Sequence, residues 1–385
     1  DDDARTLGVW SFVDAGRGFW TSPAVADLTG DGRLEVVAAT FEESQIYVWD
    51  ARGQILPGWP RKTVPQAISS PMLADLTGDG LPEVIHLSGD AIYAFHAVGS
   101  EVRDGDDDPA TDGVFLVRDE GWGYSSPALF DLDGDGGAEI IFGTKYWNSD
   151  NGLQAYRFDG TQARGFPFAT GNAIILCAPA VADLDRDGLK EVVFFTESKQ
   201  LYVVSNEADL WPGFPVITSS NYDDSPGPSP AIGNFDADPE YEICWPVNGG
   251  AFRMDLILVN PDGSILPGWP RQLECNTEGS PVVGDINGDG VADVVQPIGN
   301  SETDTPDLIY ALNADGTDIA GFPIRLDGHC RSTPVICDLD GEGSIEVVYG
   351  SLVRLLHVWD MPFPHSPGLV PWGMFQANPQ RTGVA

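Results

Sequence analysis

Ser22-Pro23-Ala24-Val25-Ala26-Asp27-Leu28-Thr29-Gly30-Asp31-Gly32-Arg33-Leu34-Glu35-Val36-Val37 is a phrase that the chain writes seven times. The copies open near residues 22, 70, 126, 178, 229, 280 and 333, with Ser-Pro in five, Ala178-Pro179 in the fourth and Thr333-Pro334 in the last. Their first loop residues, Asp27, Asp75, Asp131, Asp183, Asn234, Asp285 and Asp338, lie 48 to 56 residues apart. A self-similar period of that length marks a repeat architecture, and it spans essentially the whole chain.

Within one period the apolar runs are short and bounded by turn residues: Ala24-Val25-Ala26, then Val36-Val37-Ala38, then Ile46-Tyr47-Val48-Trp49, then a Gly-Trp-Pro or Gly-Phe-Pro segment. Runs of this length read as strands, and no helical period interrupts them. Asp50-Ala-Arg-Gly53, Asn260-Pro-Asp-Gly263 and Asn313-Ala-Asp-Gly316 supply the residues that tolerate positive φ between the third and fourth strands. Four antiparallel strands repeated seven times predict an all-β fold, a seven-bladed β-propeller occupying residues 1–385 as one domain. The aromatic of the fourth strand precedes the next repeat's proline by 12 residues at Trp59, Phe115, Trp269 and Phe322, and Trp10 precedes Pro23 by 13. The segment Val9–Val13 therefore reads as a fourth strand with no blade before it. Pro371–Phe375 resembles the same strand, and one of the two is expected to close the ring.

The 385 residues carry 59 Asp plus Glu against 20 Lys plus Arg, a formal net charge of −39. Nucleic acid and anionic membrane surfaces need a basic footprint, so both are excluded as partners. A 42% hydrophobic content supports a folded core, and no apolar run approaches the roughly 18 residues of a membrane span. Asp1-Asp2-Asp3-Ala4-Arg5 does not read as a signal peptide. The five cysteines, Cys177, Cys244, Cys275, Cys330 and Cys337, have no metal-ribbon or redox spacing, and the odd count leaves at least one unpaired within the chain.

Much of the acidity is concentrated in the repeated loops. Positions 1, 3, 5, 7 and 9 are Asp27, Thr29, Asp31, Arg33 and Glu35 in loop 1, and Asp75, Thr77, Asp79, Leu81 and Glu83 in loop 2. Loop 3 has Asp131, Asp133, Asp135, Gly137 and Glu139; loop 4 has Asp183, Asp185, Asp187, Leu189 and Glu191. Loop 5 has Asn234, Asp236, Asp238 and Glu242; loop 6 has Asp285, Asn287, Asp289, Val291 and Asp293. Loop 7 has Asp338, Asp340, Glu342, Ser344 and Glu346. Alternate oxygens on a tight loop, a Gly at position 6 and the carbonyl of position 7 make the hard-oxygen shell that Ca²⁺ prefers over Mg²⁺. An isolated Asp-Gly pair is simply a turn. Seven copies holding 24 carboxylates would repel one another without a cation, so about seven Ca²⁺ sites are expected. Loop 5, with Asn234 at position 1 and Pro239 in place of Gly, is expected to be the weakest or empty. The insertion Asp104–Asp112 repeats the acidic spacing and reads either as an eighth site or as a solvated loop.

The phrase Ser-Pro-Ala-Val-Ala-Asp-Leu, the Asp-Gly-Asp-Gly loop and the closing Glu-Val-Val resemble the FG-GAP or VCBS repeat, the calcium-binding blade also found in integrin α-subunit propellers. The resemblance covers residues 20 to 360. It implies a secreted or cell-surface propeller with calcium on the face of the first-to-second strand loops and ligands, where present, on the opposite face. The tail Pro371–Phe375 to Arg381-Thr382-Gly383 is similar to the end of many secreted bacterial propellers.

On the opposite face the sequence places Phe19 and Trp20, Trp122 and Tyr124, Tyr146 and Trp147, Tyr222, and His329 with Arg331. Aromatics beside polar groups suit sugar rings or a protein hot spot, although each alone reads equally as packing between blades. No HExxH, nucleophile elbow or phosphate loop is present, and His86, His96 and His357 fall in strand runs. The expectation is an extracellular calcium-binding module for a glycan or protein ligand, without catalytic residues. A polysaccharide lyase is the alternative, by fold analogy alone.

Overall fold

The computed structural model describes residues 23–378 except 41–43, 51, 65–68, 90, 106–112, 118–125, 133–136, 145–151, 158, 172, 174, 176, 219–227, 237, 250–252, 300–306, 327–331, 339–342, 351–355, 365–369, 371–372 and 375–376. Seven antiparallel sheets follow one another along the chain, with no helix among the described residues. The first runs Ala24–Ala26, Glu35–Ala39, Gln45–Trp49 and Arg61–Lys62, each strand paired with the next. Five further four-stranded sheets repeat this order, beginning at Met72, Ala128, Ala180, Ala231 and Val282. The seventh has three strands among the described residues: Val335–Cys337, Ser344–Gly350 and Leu356–Pro364. These are the blades of the expected seven-bladed β-propeller.

Cα packing groups the chain into two compact units, one carrying blades 1 and 2 and the other blades 3 to 7. In each unit the first strands of successive blades lie side by side. Blades 1 and 2 share a core of Leu28, Val37, Ile46, Val48, Leu73, Val84 and Phe95. In the larger unit one cluster runs from Ala128 to Leu312, and a second joins Val282 and Ile309 to Ile336 and Tyr349. Within the larger unit an inner blade has neighbours on both faces, which is why a second strand such as Glu191–Phe195 is buried at every residue. The outer strands are different. Arg61–Lys62, Phe168–Ala169, Val216–Ile217 and Ile324–Arg325 are two residues long and half exposed, a length that blunts an edge against further pairing.

The fourth strand starts later than the sequence suggests. The Gly-Trp-Pro segment lies before it, and the strand of blade 1 begins at Arg61, immediately after Pro60. Proline has no N–H to give to a ladder, so the segment takes another job. Trp59 and Trp269 are buried, and their Nε1 groups donate to the carbonyls of Ala97 at 2.8 Å and Ala314 at 2.7 Å in the next blade. Gly58, Gly165, Gly213 and Gly268, each just before such an aromatic, face the third-to-fourth strand turn of the next blade. A Cβ on Gly213 would overlap the carbonyl of Asp262, and one on Gly268 that of Asp315.

A second tie joins neighbouring repeats at the Ser-Pro phrase. The N–H of Ala178 donates to Ser229 Oγ at 3.0 Å, that of Ser229 to Ser280 Oγ at 2.8 Å, and that of Ser280 to Thr333 Oγ1 at 3.0 Å. Ser70 N–H and Ser126 Oγ make the same bond at 2.9 Å. The serine is thus a relay between repeats, and Ala178 can donate to it but not accept.

Of the two candidate closing segments, residues 9–13 lie outside the described residues. In the other, the carbonyl of Gly373 accepts the N–H of Ile336 at 2.7 Å. That contact is on the first strand of blade 7, whereas a fourth strand would lie beside Leu356–Pro364. No helix among the described residues is long and apolar enough to cross a membrane.

Gly268 and Gly321 hold equivalent places, at φ +92° and +96°, but a Cβ on Gly321 meets nothing within 4 Å among the described residues. Gly321→Ala should therefore cost only the left-handed backbone penalty, about 1–2 kcal/mol. Gly268→Ala should cost that and a displaced turn besides, so its urea midpoint should fall clearly further. Equal losses for the two variants would refute the inter-blade role of Gly268.

Candidate metal centres in the acidic loops

The acid at position 9 begins the second strand of blades 1 to 6 and is the third residue of that strand in blade 7, and it is buried in all seven, from 0% exposed at Glu242 to 3% at Glu35 and Glu346. One of its oxygens has a fixed partner, the N–H of loop position 2. Leu28 donates to Glu35 at 2.9 Å, Leu76 to Glu83 at 2.8 Å and Leu132 to Glu139 at 2.7 Å. Leu184 donates to Glu191 at 2.9 Å, Phe235 to Glu242 at 2.6 Å and Ile286 to Asp293 at 3.0 Å. The side chains of these donors are buried in the blade, so an apolar anchor and a carboxylate staple together close each loop. Sequence reasoning assigned position 9 to the metal alone. The invariable apolar residue at position 2 was the signal for its second role.

Position 1 folds the loop from the other end. Asp27 accepts the N–H groups of Gly30, Asp31 and Gly32 at 2.7, 3.2 and 2.8 Å. Asp75 and Asp285 repeat the pattern, with Gly78, Asp79 and Gly80, and with Gly288, Asp289 and Gly290. Position 5 accepts the N–H of position 7: Asp31 from Arg33, Asp79 from Leu81, Asp187 from Leu189 and Asp289 from Val291, all at 2.8 or 2.9 Å. In loop 5 Asn234 instead donates through Nδ2 to the carbonyl of Asp238 at 2.6 Å.

Among the described residues, two loops gather their carboxylates around a common centre. Oxygens of Asp183, Asp185 and Asp187 lie within 4.8 Å of one another, as do those of Asp236, Asp238 and Glu242. Each group also holds a buried oxygen without a hydrogen-bond partner among the described residues, Asp183 Oδ1 in loop 4 and Glu242 Oε1 in loop 5. A buried carboxylate oxygen without a partner, in a group of three carboxylates, calls for either a proton or a cation. These acidic clusters can hold a metal ion. Loop 5, where the weakest site was expected, is one of the two with this arrangement.

Elsewhere the protein supplies its own partner for position 9. Glu83 Oε1 lies 3.1 Å from His96 Nδ1 and accepts Thr77 Oγ1 at 3.3 Å. Glu139 Oε1 is 3.8 Å from Arg157 Nε. Asp293 Oδ1 accepts Asn287 Nδ2 at 3.3 Å. His96 and Arg157 each follow directly on a third strand, and the strand pairing sets them opposite Glu83 and Glu139. Their sequence signal is that register position, which the loop motif does not include.

Burial raises the position 9 acids above the ordinary carboxylate range, opposed by the stapling N–H and reinforced by neighbouring acids. Glu191 and Glu242 are pushed up to about 7, Asp293 to about 8, and Glu35 and Glu83 upward as well.

The residues expected on the opposite face, Trp20, Trp122, Tyr124, Tyr146, Trp147, Tyr222, His329 and Arg331, lie outside the described residues. So do Asp133, Asp135, Asp340, Glu342 and the stretch 106–112 of the acidic insertion. His86 is buried, with Nδ1 3.3 Å from Ser69 Oγ, and burial lowers it to about 3. Cys177, Cys244 and Cys337 are free thiols.

A family model described as an FG-GAP-like repeat matches residues 27–86 and 131–194. No curated protein matches the sequence. Among solved structures, the V. cholerae biofilm matrix protein Bap1 aligns with a TM-score of 0.58 at 14% identity, over 94% of this chain and 81% of that one. BamB from Moraxella catarrhalis aligns with a TM-score of 0.52 at 13% identity, over 85% and 82%. A europium-containing methanol dehydrogenase gives 0.51 at 14%, over 85% and 72%. At such identities the likeness is one of fold.

In metal-free protein a raised acid binds its proton more tightly folded than unfolded. Its stabilising contribution is full below the unfolded value, 4.5 for Glu191 and Glu242 and 3.8 for Asp293, and is lost as pH rises through about 7 to 8. Calorimetry in chelator should therefore show the melting temperature falling between pH 5 and pH 8. Glu242→Gln should flatten part of that slope, and an unchanged slope in the variant would refute the assignment.

Proposed function

The chain carries FG-GAP-like repeats on a seven-bladed β-propeller, and on that footing we propose that it is an extracellular calcium-binding module that presents the propeller for adhesion or ligand binding. The observation that carries the reading is Glu242 Oε1, fully buried, unpartnered and set among Asp236 and Asp238. A divalent cation is the partner that balances three carboxylates in such a space, and the all-oxygen donor set favours Ca²⁺. The position 1, 3, 5 and 9 residues of the seven loops would hold it.

Calcium supplies rigidity here. Each loop connects the first and second strands of a blade, so an ion bound at its carboxylates belongs to the native state and stabilises it by mass action. With the metal on the first-to-second strand loops, a ligand would bind on the opposite face. The aromatics assigned to that face by sequence suit a glycan or a protein hot spot. The residual negative charge disfavours anionic partners, and a neutral or cationic ligand fits it better.

Calcium at a hundredfold excess over Kd should stabilise the chain by about 2.7 kcal/mol per occupied site, raising the melting temperature, and chelation should reverse the rise. An unchanged melting temperature would refute the metal reading. A glycan array probed with and without calcium should show binding only with it. Release of unsaturated products from acidic polysaccharides would instead identify a lyase and overturn the non-catalytic reading.

A further inference from the structure

Loops 4 and 5, the two with converging carboxylates and an orphaned oxygen, are also joined to each other. The carbonyl of Leu184, at position 2 of loop 4, accepts the N–H of Tyr241, at position 8 of loop 5, at 2.9 Å. Among the described residues no other pair of loops shares this bond. Leu184 is the residue whose own N–H is held by Glu191, and Tyr241 is adjacent to Glu242, which staples Phe235. A continuous line therefore runs from the position 9 acid of one loop, through Leu184 and Tyr241, to the position 9 acid of the next.

A second contact reinforces the first at a conformational cost. Position 4 is Gly30, Gly78 and Gly288 in loops 1, 2 and 6, at φ +72°, +73° and +77°. In loop 4 it is Arg186, held in the same left-handed region at φ +63°. A residue with a Cβ pays for that conformation, and it persists where something else holds it. The Arg186 guanidinium carbon sits 4.2 Å from the centroid of the Tyr241 ring. The strain of loop 4 is thus compensated on loop 5.

We propose that loops 4 and 5 form a coupled pair of divalent-cation sites, in which occupation of one raises the affinity of the other, with Arg186 and Tyr241 as the coupling residues. The inference rests on the metal reading above and adds to it a ranking and a linkage. Ordering loop 4 fixes the Leu184 carbonyl and the Arg186 head group, and so fixes Tyr241 and Glu242 before the second ion arrives. The entropy of ordering loop 5 is then already met, which is positive cooperativity. Because coupling is reciprocal, loop 5 acts on loop 4 by the same factor.

The test is calcium titration of the full chain by calorimetry, with native mass spectrometry counting ions. The wild-type chain should show a tight class of two ions that bind cooperatively. Glu242→Gln should remove one ion and weaken the remaining tight ion about fivefold or more. Arg186→Gly installs the residue found at this position in loops 1, 2 and 6, so the variant relieves strain and should fold. It should keep both ions but bind them independently, and in its background Glu242→Gln should leave the other ion within twofold. A tight ion unaffected by Glu242→Gln, or full cooperativity in Arg186→Gly, overturns the coupling while leaving the metal reading intact. A wild-type chain that binds no calcium overturns both.

Discussion

Every blade of this propeller depends on a carboxylate buried at the root of its acidic loop. The group at position 9 lies at or near the start of the second strand, in six loops accepts the N–H of position 2, and is almost without contact with water. A buried carboxylate with one hydrogen bond is under-compensated, and its surroundings must supply either a proton or positive charge. The seven loops solve this differently. His96 faces Glu83 and Arg157 faces Glu139, whereas in loop 5 nothing in the described protein meets Glu242 Oε1. Metal dependence should follow that division, strongest where the protein offers least.

The repeat, its period and the blade order were legible because each rests on local chemistry that recurs. Glycine at positive φ in the Asp50–Gly53, Asn260–Gly263 and Asn313–Gly316 turns, and short apolar runs between them, can be read from neighbours in sequence. What escaped depends on contacts between repeats. Trp59 and Trp269 look like strand residues by hydrophobicity, but the proline after each removes a ladder donor, and the indole serves the next blade instead. The serine of Ser-Pro marks the start of each repeat in sequence, but its hydroxyl accepts an N–H from roughly one repeat earlier, 51 residues away at Ser229 and Ser280.

The metal loops divide in the same way. Ligand spacing within nine residues is visible in sequence, and the turn bonds made by Asp27, Asp75 and Asp285 follow from it. The quality of each site is not, because it is set across the strand by His96 and Arg157 and across the blade boundary by Arg186 and Tyr241. Loop 5 shows the consequence. Asn234 and Pro239 make it the poorest match to the motif, yet its Asp236, Asp238 and Glu242 converge while better-matched loops spend their position 9 acid on protein partners.

The formal charge of −39 takes on a different meaning in this light. Spread evenly it would be a solubility property with a modest cost in self-repulsion. Concentrated as it is in loops that fasten the first strand of each blade to the second, it becomes a conditional term in stability. Without cations the buried acids near neutrality remain partly protonated, and each further ionisation works against the fold. With cations the same groups bind the strands together. A chain built this way would hold its blades most firmly with a cation in its acidic clusters, and the loops with most need of one are those where the described protein has placed no cation of its own.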